Sequence, residues 1–511
     1  MKKQEQECKY IYDIGLVYRS NHNYGANLTH YSLYQFLCSQ GYRVLMIDLP
    51  SDSKCALPID RPDPLELFED CPYSKESIAY PIKHRWDLLE MNALCRFFLV
   101  GSDQLWRRYF VVDTNYFSTL DWVSDEKYKI SYATSFGVDN YEGNQEEKEA
   151  IGRRLSRLHR ISVRESSGVK IVSELTGRES QWVADPVFIC AKRCFDILAK
   201  KGSQRMPLHK YVAAYLLDRD AFKNEYVRRM KLKKNICESV LIEDAMVTHS
   251  YSDKDELNPI RHATVEEWLA MIKNCEFLVT DSFHGMCFAL IFKKQFVIII
   301  SKESHRGYAR VESLLTMLGL KSRIVHECSD EKGNDISDQP IDYKIVDAKL
   351  CEFAKKGRNW LLDSLELANQ YKEVSDENIT WISEKVQKDI EKEKMKYAER
   401  IECIERRGAG VLKKNSPVYI WGAGACFKRN IKVLSEIYRI VGVVDSDSGK
   451  WGKEVAKNIF CISPQKIFSM SKNVAIIILI EDPNISRDIS NKLRTKGIMN
   501  CITYGQLIGF E

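Results

Sequence analysis

Short apolar runs alternate with amphipathic stretches along most of the chain. Residues 14–18 and 44–47 are apolar runs of strand length, and residues 28–40 between them carry one apolar face at helical spacing. A strand, a helix and a second strand predict a β-α-β unit, which implies a parallel sheet with a right-handed crossover. Further strands are predicted at residues 97–100, 129–133, 160–163 and 182–183.

The same alternation returns after residue 205. A strand is predicted at residues 211–217, and Thr264 with Glu267 forms a capping box that begins a helix leading into a buried strand at 277–279. A strand at 296–300 and a helix at 311–318 follow. The pattern predicts an α/β protein with two Rossmann-like parallel-sheet domains, at residues 8–200 and 201–374, as in many glycosyltransferases with two such domains and a cleft between them.

The remainder of the chain has two parts. Residues 375–410 carry dense mixed charge with apolar residues at helical spacing, which predicts a long connecting helix that ends near Gly408 and Gly410. Residues 411–511 predict a small third Rossmann-like domain. Its elements are strands at 418–421, 441–444, 475–480 and 500–503 and a helix at 428–438.

Composition changes this picture little. The 511 residues are 44% hydrophobic and 29% charged with a net charge of +5, which is ordinary for a soluble protein and does not indicate nucleic-acid binding. The absence of a membrane span or a signal peptide and the 16 cysteines predict a reduced, cytoplasmic protein. Cys190 and Cys194 are spaced like zinc ligands, but no second pair accompanies them, so neither a metal nor a cofactor is predicted.

A run of polar side chains that could bind a ligand or transfer a proton directly follows the strand predicted at 277–279. Thr280, Asp281 and Ser282 are helix-capping residues, and His284 therefore lies at the carboxyl end of a strand and the amino end of a helix. Ligands bind at such edges of parallel sheets, and helix amino ends favour anions. A histidine there can bind a phosphate or transfer a proton; the alternative is a core histidine without a role.

This segment, Thr280-Asp281-Ser282-Phe283-His284-Gly285, resembles the signature of the polysaccharide pyruvyltransferases. Over roughly residues 10–320 other segments agree with that family in order: Asn23-Tyr24-Gly25-Ala26, Gly101-Ser102-Asp103-Gln104-Leu105-Trp106, Ser131 to Gly137, Ser162 to Ser166, and Asp185-Pro186-Val187-Phe188. The resemblance implies a GT-B-like fold and the transfer of a pyruvyl group from phosphoenolpyruvate, a co-substrate, to a sugar.

A donor that carries a phosphate and a carboxylate needs guanidinium groups and backbone donors. The donor-binding candidates are Ser282, Gly285, Arg306, Arg310 and Arg164. A helix through residues 306–310 would place both of its arginines on one face; the alternative is ordinary surface charge. For Arg164 the alternative is a surface pair with Glu165.

Two residues are candidates for catalysis. His284 would deliver a proton to the methylene carbon of the enol ether, and Asp103 would bind or deprotonate a sugar hydroxyl, unless it only caps a helix. Asn23, Gly25 and Ser102 are expected on the acceptor side, although a plain turn explains Asn23 and Gly25 nearly as well. Asp281 is expected either to orient His284 or to cap its helix.

In the third domain, Gly422 and Gly424 follow a strand, and Asp445 ends the next strand, as in dinucleotide sites. Phe427 occupies the position of the third glycine of that motif. Two interpretations stay open, a nucleotide site and an accessory domain without a ligand.

The expected function is a transferase of surface-polysaccharide assembly, for example of a capsule or exopolysaccharide. Its partners would be a sugar or a lipid-linked oligosaccharide, the latter with peripheral association at the inner membrane face; an oligomer is left open, and nucleic acid is not expected. The alternatives are a GT-B glycosyltransferase that uses a nucleotide-sugar and an inactive scaffold of the assembly machinery.

Overall fold

The computed structural model describes most of the chain. The described residues are 10–19, 23–49, 67–113, 115–243, 257, 259–260, 263–302, 307–327, 339–371, 377–456, 459–470, 473–480 and 482–509. They form three six-stranded sheets. The first two sheets belong to one compact unit and the third to another, with the division at Ile382–Ser383 inside a long helix.

The first sheet is wholly parallel and has the strand order β2-β1-β3-β4-β5-β6. Its strands are β1 (Tyr12–Tyr18), β2 (Val44–Asp48), β3 (Cys95–Val100), β4 (Lys129–Thr134), β5 (Arg160–Val163) and β6 (Gln181–Trp182). Its helices are α1 (Tyr24–Ser39), α2 (Arg85–Leu94), α3 (Arg108–Asp113), α4 (Gln145–Leu155), α5 (Ser166–Thr176), α6 (Pro186–Ile189) and α7 (Lys192–Lys201). The strands predicted from the apolar runs are thereby confirmed within a few residues at their ends.

The second sheet is also parallel, in the order β12-β11-β10-β7-β8-β9. Its strands are β7 (Tyr211–Tyr215), β8 (Glu238–Ile242), β9 (Pro259–Ile260), β10 (Phe277–Thr280), β11 (Gln295–Ile300) and β12 (Ile324–His326). Its helices are α8 (Ala221–Lys233), α9 (Val265–Asn274), α10 (Phe283–Ile291) and α11 (Ala309–Leu318). The capping box of Thr264 and Glu267 is present at the start of α9.

A single hydrophobic core joins these two sheets. It contains Ile14 of the first sheet, Leu278 of the second and Leu361 of a later helix, all fully buried. Polar contacts also cross between the halves, since the hydroxyls of Ser166 and Ser313 lie 2.9 Å apart. The two Rossmann-like domains therefore form one GT-B-like body whose carboxyl-terminal strand edges meet.

A helix that the sequence analysis did not predict connects both halves. Helix α12 (Tyr343–Gln370) begins against the second sheet, where Lys293 pairs with Asp347. It ends against the first, where Arg96 donates to the carbonyl of Asn369 at 2.7 Å and the Asn369 amide donates to Tyr42 at 2.8 Å. Its buried residues recur every three or four positions: Val346, Leu350, Ala354, Gly357, Leu361, Leu365 and Ala368.

The second unit contains most of the predicted long helix, α13 (Glu377–Gly408), and the third sheet. The strand order is β15-β16-β14-β13-β17-β18, parallel except for the β15–β16 pair. The strands are β13 (Pro417–Trp421), β14 (Arg439–Val444), β15 (Glu454–Ala456), β16 (Ile459–Ile462), β17 (Ala475–Ile478) and β18 (Cys501–Thr503). The helices are α14 (Ala425–Ile437), α15 (Pro464–Phe468), α16 (Pro483–Thr495) and α17 (Tyr504–Ile508).

A buried ion pair fixes the carboxyl end of β10. The Lys223 ammonium donates to Asp281 at 2.8 Å, and neither side chain is exposed to solvent. The other bonds of Asp281 come from the backbone N–H groups of Leu217 at 2.7 Å and Asp218 at 3.0 Å. Asp281 thus ties the loop after β7 to the end of β10, and the expectation that it orients His284 or caps α10 is corrected.

We predict that Lys223→Met destabilises the protein, because it leaves the Asp281 carboxylate buried without its counter-charge. The expected loss is about 3 kcal/mol of unfolding free energy, measured by denaturant titration. Lys233→Met on the exposed face of the same helix is the control and should stay near wild type. An equal effect of both substitutions would show that the buried pair contributes nothing specific.

Candidate active site

The turn from β10 into α10 holds His284 in place. Ser282 is the helix N-cap, and its hydroxyl accepts a hydrogen bond from the Gly285 N–H at 3.3 Å. The Thr280 hydroxyl donates to the carbonyl of Tyr215 at 2.6 Å. A Cβ atom on Gly285 would lie 2.6 Å from the Thr280 hydroxyl, so only glycine allows the helix to start this close to the strand.

The centre of the site is the Arg164 guanidinium, which is buried at the carboxyl end of β5. One terminal nitrogen, Nη1, donates to Asp185 Oδ2 at 2.7 Å and lies 3.2 Å from His284 Nε2. The other, Nη2, donates to Asp103 Oδ1 at 3.0 Å. A residue of the second domain and three of the first are thereby brought into one cluster, which excludes the alternative that Arg164 only forms a surface pair with Glu165.

Asp185 is the member of this cluster to which the sequence analysis gave no role. It caps α6, where Oδ1 accepts from the Val187 N–H at 3.1 Å and from the Thr29 hydroxyl at 2.7 Å. Its Oδ2 atom, besides binding Arg164, lies 3.6 Å from His284 Nε2. Proline after an aspartate is a general signal for the start of a helix, but no local signal shows that the second oxygen of Asp185 faces a histidine.

Gly25, on the first turn of α1, makes room for the imidazole. A Cβ atom there would lie 2.2 Å from the Cβ of His284 and 2.4 Å from its Nδ1. Asn23 caps the same helix, with Oδ1 accepting from the Ala26 N–H at 3.2 Å, and its amide reaches the Tyr215 hydroxyl at 3.4 Å. These two residues therefore connect α1 to the second domain, on the side of His284.

A second arginine lies beside the cluster. Arg310, near the start of α11, has its guanidinium carbon 5.6 Å from the centre of the Phe283 ring, and that of Arg164 is 4.7 Å from the same ring. The helix that was expected to carry both arginines begins at Ala309, and Arg306 lies outside the described residues. The described cationic groups next to His284 are thus Arg164 and Arg310.

The charges of the cluster keep both aspartates ionised. Burial alone would raise the pKa of Asp103, but the Arg164 guanidinium, with His284 and Arg310, holds it well below its ordinary value. Burial also opposes ionisation of Asp185. The contacts of the Asp185 carboxylate with His284 and Arg164 outweigh the effect of burial, so the pKa of Asp185 is lowered as well. Of these side chains Asp103 is the most accessible, at 21%, and it is the point at which solvent reaches the cluster.

The structure excludes the helix-capping alternative for Asp103 and the surface alternative for Glu165, and it corrects the expectation that Ser102 lines the acceptor side. Asp103 does not cap a helix, since α3 begins at Arg108. Ser102 does not line an open surface, because it is buried and its hydroxyl donates to the Ala133 carbonyl at 2.8 Å. Glu165 is buried, with Oε1 accepting from the N–H groups of Phe136 at 2.7 Å and Gly137 at 3.0 Å.

Residues at the start of α3, which follow Asp103 closely in the sequence, line an open hollow of about 470 Å³. It is lined by Arg107, Arg108, Tyr109, Phe110 and Glu142. Tyr109 is 56% exposed, and the Arg19 guanidinium lies 5.0 Å from the centre of the Phe110 ring. The hollow therefore offers an exposed aromatic face beside guanidinium groups.

In the third domain, Gly422 has a φ of 109° and Gly424 is the N-cap of α14. Asp445 accepts from the N–H groups of Ala423 and Asp447, each at 2.9 Å, and from the Lys450 ammonium at 3.0 Å. The carboxylate that the nucleotide interpretation assigns to a ribose is thus engaged by three groups of its own domain. A nucleotide site there stays a prediction.

Comparison with known families decides the assignment. The model of the family described as polysaccharide pyruvyl transferase matches residues 23–303, which include Asn23, Asp103, Arg164, Asp185 and His284. The chain belongs to the polysaccharide pyruvyl transferase family. As a member of it, the protein is a transferase, and the matched residues contain the cluster around Arg164.

Solved structures with a similar fold are distant from this family member. The glycotransferase of kitacinnamycin is 14% identical, with 70% of this chain and 95% of that chain covered and a TM-score of 0.36. The wall teichoic acid polymerase TagF is 11% identical (74% and 89% covered, TM-score 0.36). UDP-GlcNAc 2-epimerase from Neisseria meningitidis is also 11% identical (69% and 99% covered, TM-score 0.40). No functional inference follows from similarity at this level.

A search of the curated proteins returned no match. Among the helices in the described residues, none combines the length and apolar content that crossing a bilayer requires.

We predict that the two aspartates make stability depend on acid pH. Their folded-state pKa values lie below the value of about 3.9 expected for an unfolded aspartate, so the unfolded chain binds protons first as the pH falls. Their contribution is complete above about pH 5 and is lost as the pH decreases towards the folded-state values. Denaturant titrations at a series of pH values should show this loss.

The matched variant for this prediction is Asp185→Asn, which cannot be protonated in this range. It should lower the unfolding free energy at neutral pH by about 3 kcal/mol, because a buried guanidinium loses one partner, and its stability should fall less steeply in acid. Asp139→Asn, at an exposed aspartate, should follow the wild type. If the unfolding free energy of Asp185→Asn falls with decreasing pH as steeply as that of the wild type, Asp185 does not cause the pH dependence.

Proposed function

We propose that the protein transfers a pyruvyl group from phosphoenolpyruvate to two hydroxyls of a sugar, forming a ketal and releasing phosphate. The observation that carries this proposal is the position of His284 Nε2, 3.2 Å from the Arg164 guanidinium and 3.6 Å from Asp185, in a cluster nearly closed to water. Membership of the polysaccharide pyruvyl transferase family supports the reaction class.

The donor is a trianion and requires positive potential. Both terminal nitrogens of the Arg164 guanidinium donate to aspartates, so Arg164 mainly fixes the cluster, and Arg310 is the cation we assign to the phosphate or carboxylate. Ser282 and Gly285 form the first turn of α10, and the positive end of a helix dipole favours an anion at that point. The donor therefore lies between α10 and α11 in this proposal.

The chemistry assigns separate roles to the histidine and the aspartate. His284 delivers a proton to the methylene carbon, which leaves positive charge on the neighbouring carbon, and a sugar oxygen bonds to that carbon. Asp103, ionised and the most accessible member of the cluster, accepts a hydrogen bond from the attacking hydroxyl. The first hydroxyl loses its proton as its oxygen bonds to carbon, and that proton replaces the one that His284 gave. A second hydroxyl then displaces phosphate, which leaves with the electrons of the carbon–oxygen bond and takes up the proton of that hydroxyl.

The acceptor approaches over the hollow at the start of α3 in this proposal. An exposed tyrosine supplies a flat apolar face with a polar tip, which suits the face of a sugar ring. The acceptor is a sugar or a lipid-linked saccharide; contact with the inner membrane face and the oligomeric state stay predictions.

The test is a donor screen with a mass readout. The protein is incubated with phosphoenolpyruvate or with nucleotide-sugars and with a panel of p-nitrophenyl hexosides and N-acetylhexosaminides. We expect a product heavier by one pyruvate less one water, with release of one phosphate. Addition of a whole hexose would instead identify a glycosyltransferase, and absence of any product and of phosphate release would favour the scaffold.

We expect His284→Ala to lower transfer by at least about 100-fold, because proton transfer to carbon loses its acid. The variant should unfold at the wild-type temperature to within a few degrees, which separates loss of chemistry from loss of fold. His209→Ala, at a side chain that is 70% exposed, is the control. Near-full activity in His284→Ala would remove the proposed role.

Tyr109→Ala tests the acceptor route. With the glycoside that is pyruvylated best, we expect the KM for the acceptor to rise about tenfold, equivalent to about 1.4 kcal/mol of lost contact, and the KM for phosphoenolpyruvate to stay nearly unchanged. Tyr80→Ala, at another exposed tyrosine, is the control. A rise confined to the phosphoenolpyruvate KM would place the hollow on the donor side.

A further inference from the structure

A second histidine lies buried next to the cluster. His30, in α1, is 1% exposed, and within the described part of the chain neither ring nitrogen makes a hydrogen bond of good geometry, the backbone of Arg19 being the polar group that acts on the ring at close range. The only ring packed on it among the described residues is that of Tyr18, at a centroid distance of 5.0 Å. Buried polar atoms are nearly always satisfied, so an imidazole with two unsatisfied nitrogens requires an explanation.

The position of His30 connects it to the site. Earlier residues of the same helix already contact the cluster, Gly25 against the His284 imidazole and Thr29 through its bond to Asp185. The charges that act on the His30 ring are those of Asp103, Asp48 and His284. The His30 ring therefore lies on the first-domain side of the cluster, close enough to Asp103 for the charge of that carboxylate to act on it.

His30 is neutral at physiological pH. Burial lowers the pKa of its imidazole to about 4, and the nearby carboxylates of Asp103 and Asp48 only partly oppose this. A neutral imidazole has one N–H donor and one acceptor nitrogen. Its complement is a group that both accepts and donates a hydrogen bond.

The need for a group that both accepts and donates a hydrogen bond distinguishes the enol phosphate donor from the sugar acceptor. The phosphate and carboxylate oxygens of an enol phosphate are acceptors, and so are the ionised carboxylates of the cluster. A sugar hydroxyl both donates and accepts, and a diol can satisfy both ring nitrogens at once. The chemistry of the ring therefore matches the acceptor rather than the donor.

We infer that His30 contacts the acceptor diol and takes the proton from one of the two hydroxyls that become bridged. The inference rests on the proposed function and deepens it, since it assigns a second proton-accepting residue to ketal formation. It gives a role to a buried imidazole that no described side chain satisfies.

The proton balance of the reaction requires such a group. Two O–H bonds break and two C–O bonds form at the same carbon, while the bond from that carbon to the phosphate oxygen breaks and phosphate takes its electron pair. His284 delivers one proton to the methyl carbon and regains one from the first hydroxyl. The proton of the second hydroxyl passes to His30, whose imidazolium is stabilised by Asp103 and Asp48, and then to the departing phosphate. No oxidant, reductant or further reactant is needed.

The decisive variant is His30→Phe, which keeps a ring of similar shape and removes both nitrogens. Because it also removes two unsatisfied buried polar atoms, we expect the melting temperature to rise, by about 2 °C, while kcat/KM for the acceptor falls at least about 100-fold. The KM for phosphoenolpyruvate should change less than about twofold. A residue with a purely structural role would lose stability and activity together.

His30→Gln separates contact from proton transfer, since its amide donates and accepts hydrogen bonds but does not take up a proton. We expect a nearly wild-type acceptor KM and a kcat reduced at least about 100-fold. His209→Phe, at the exposed surface, is the control for introducing an aromatic ring.

The outcomes distinguish this inference from the proposed function. If the wild type forms the pyruvyl ketal and either His30 variant retains its kcat, the role of His30 is overturned and the proposed function stands. If His30→Phe loses activity only in proportion to a loss of folded protein and His30→Gln is fully active, His30 is structural. If the wild type forms no ketal with any acceptor, the proposed function itself fails and this inference fails with it.

Discussion

The buried guanidinium of Arg164 is the interaction on which the rest of the site depends. A charged group without access to water is tolerated only where counter-charges and hydrogen bonds replace hydration. Asp103 and Asp185 provide these from two separate places in the first domain, and both carboxyls stay ionised because the guanidinium lies between them. The position of His284 follows from this network, since Nε2 lies within reach of both Arg164 and Asp185.

Several small features allow the histidine to reach that network. Gly25 leaves the volume that the imidazole occupies, and Gly285 lets α10 begin directly above the Thr280 hydroxyl. The Lys223–Asp281 pair holds the end of β10 from the opposite side. Each feature is local, and together they place one side chain of the second domain against three residues of the first.

The sequence was informative where function is expressed in a local pattern. His284 and Arg164 follow predicted strands, and the turn chemistry around Ser282 was readable because N-caps have a short-range signature. Contacts between segments that are distant in the chain could not be predicted from the sequence. Arg164 and His284 are 120 residues apart, and nothing near Asp185 or His30 in the sequence indicates which side chains face them.

The expected role of Asp281 failed for the same reason, since its partner Lys223 lies 58 residues away. Helix α12 is a different case. Its apolar residues recur at helical spacing and were available to a pattern analysis, so the fold could have been predicted more completely than the site.

Helix α12 has a consequence for how water is kept from the reaction. A single helix is bonded to both halves of the body, and one core runs beneath them. Contacts between the two halves therefore belong to the folded chain itself and do not require a substrate. Arg164, Asp185 and His284 are almost fully buried in that fold, so the chain itself supplies the water-poor surroundings in which a reaction at this cluster would take place.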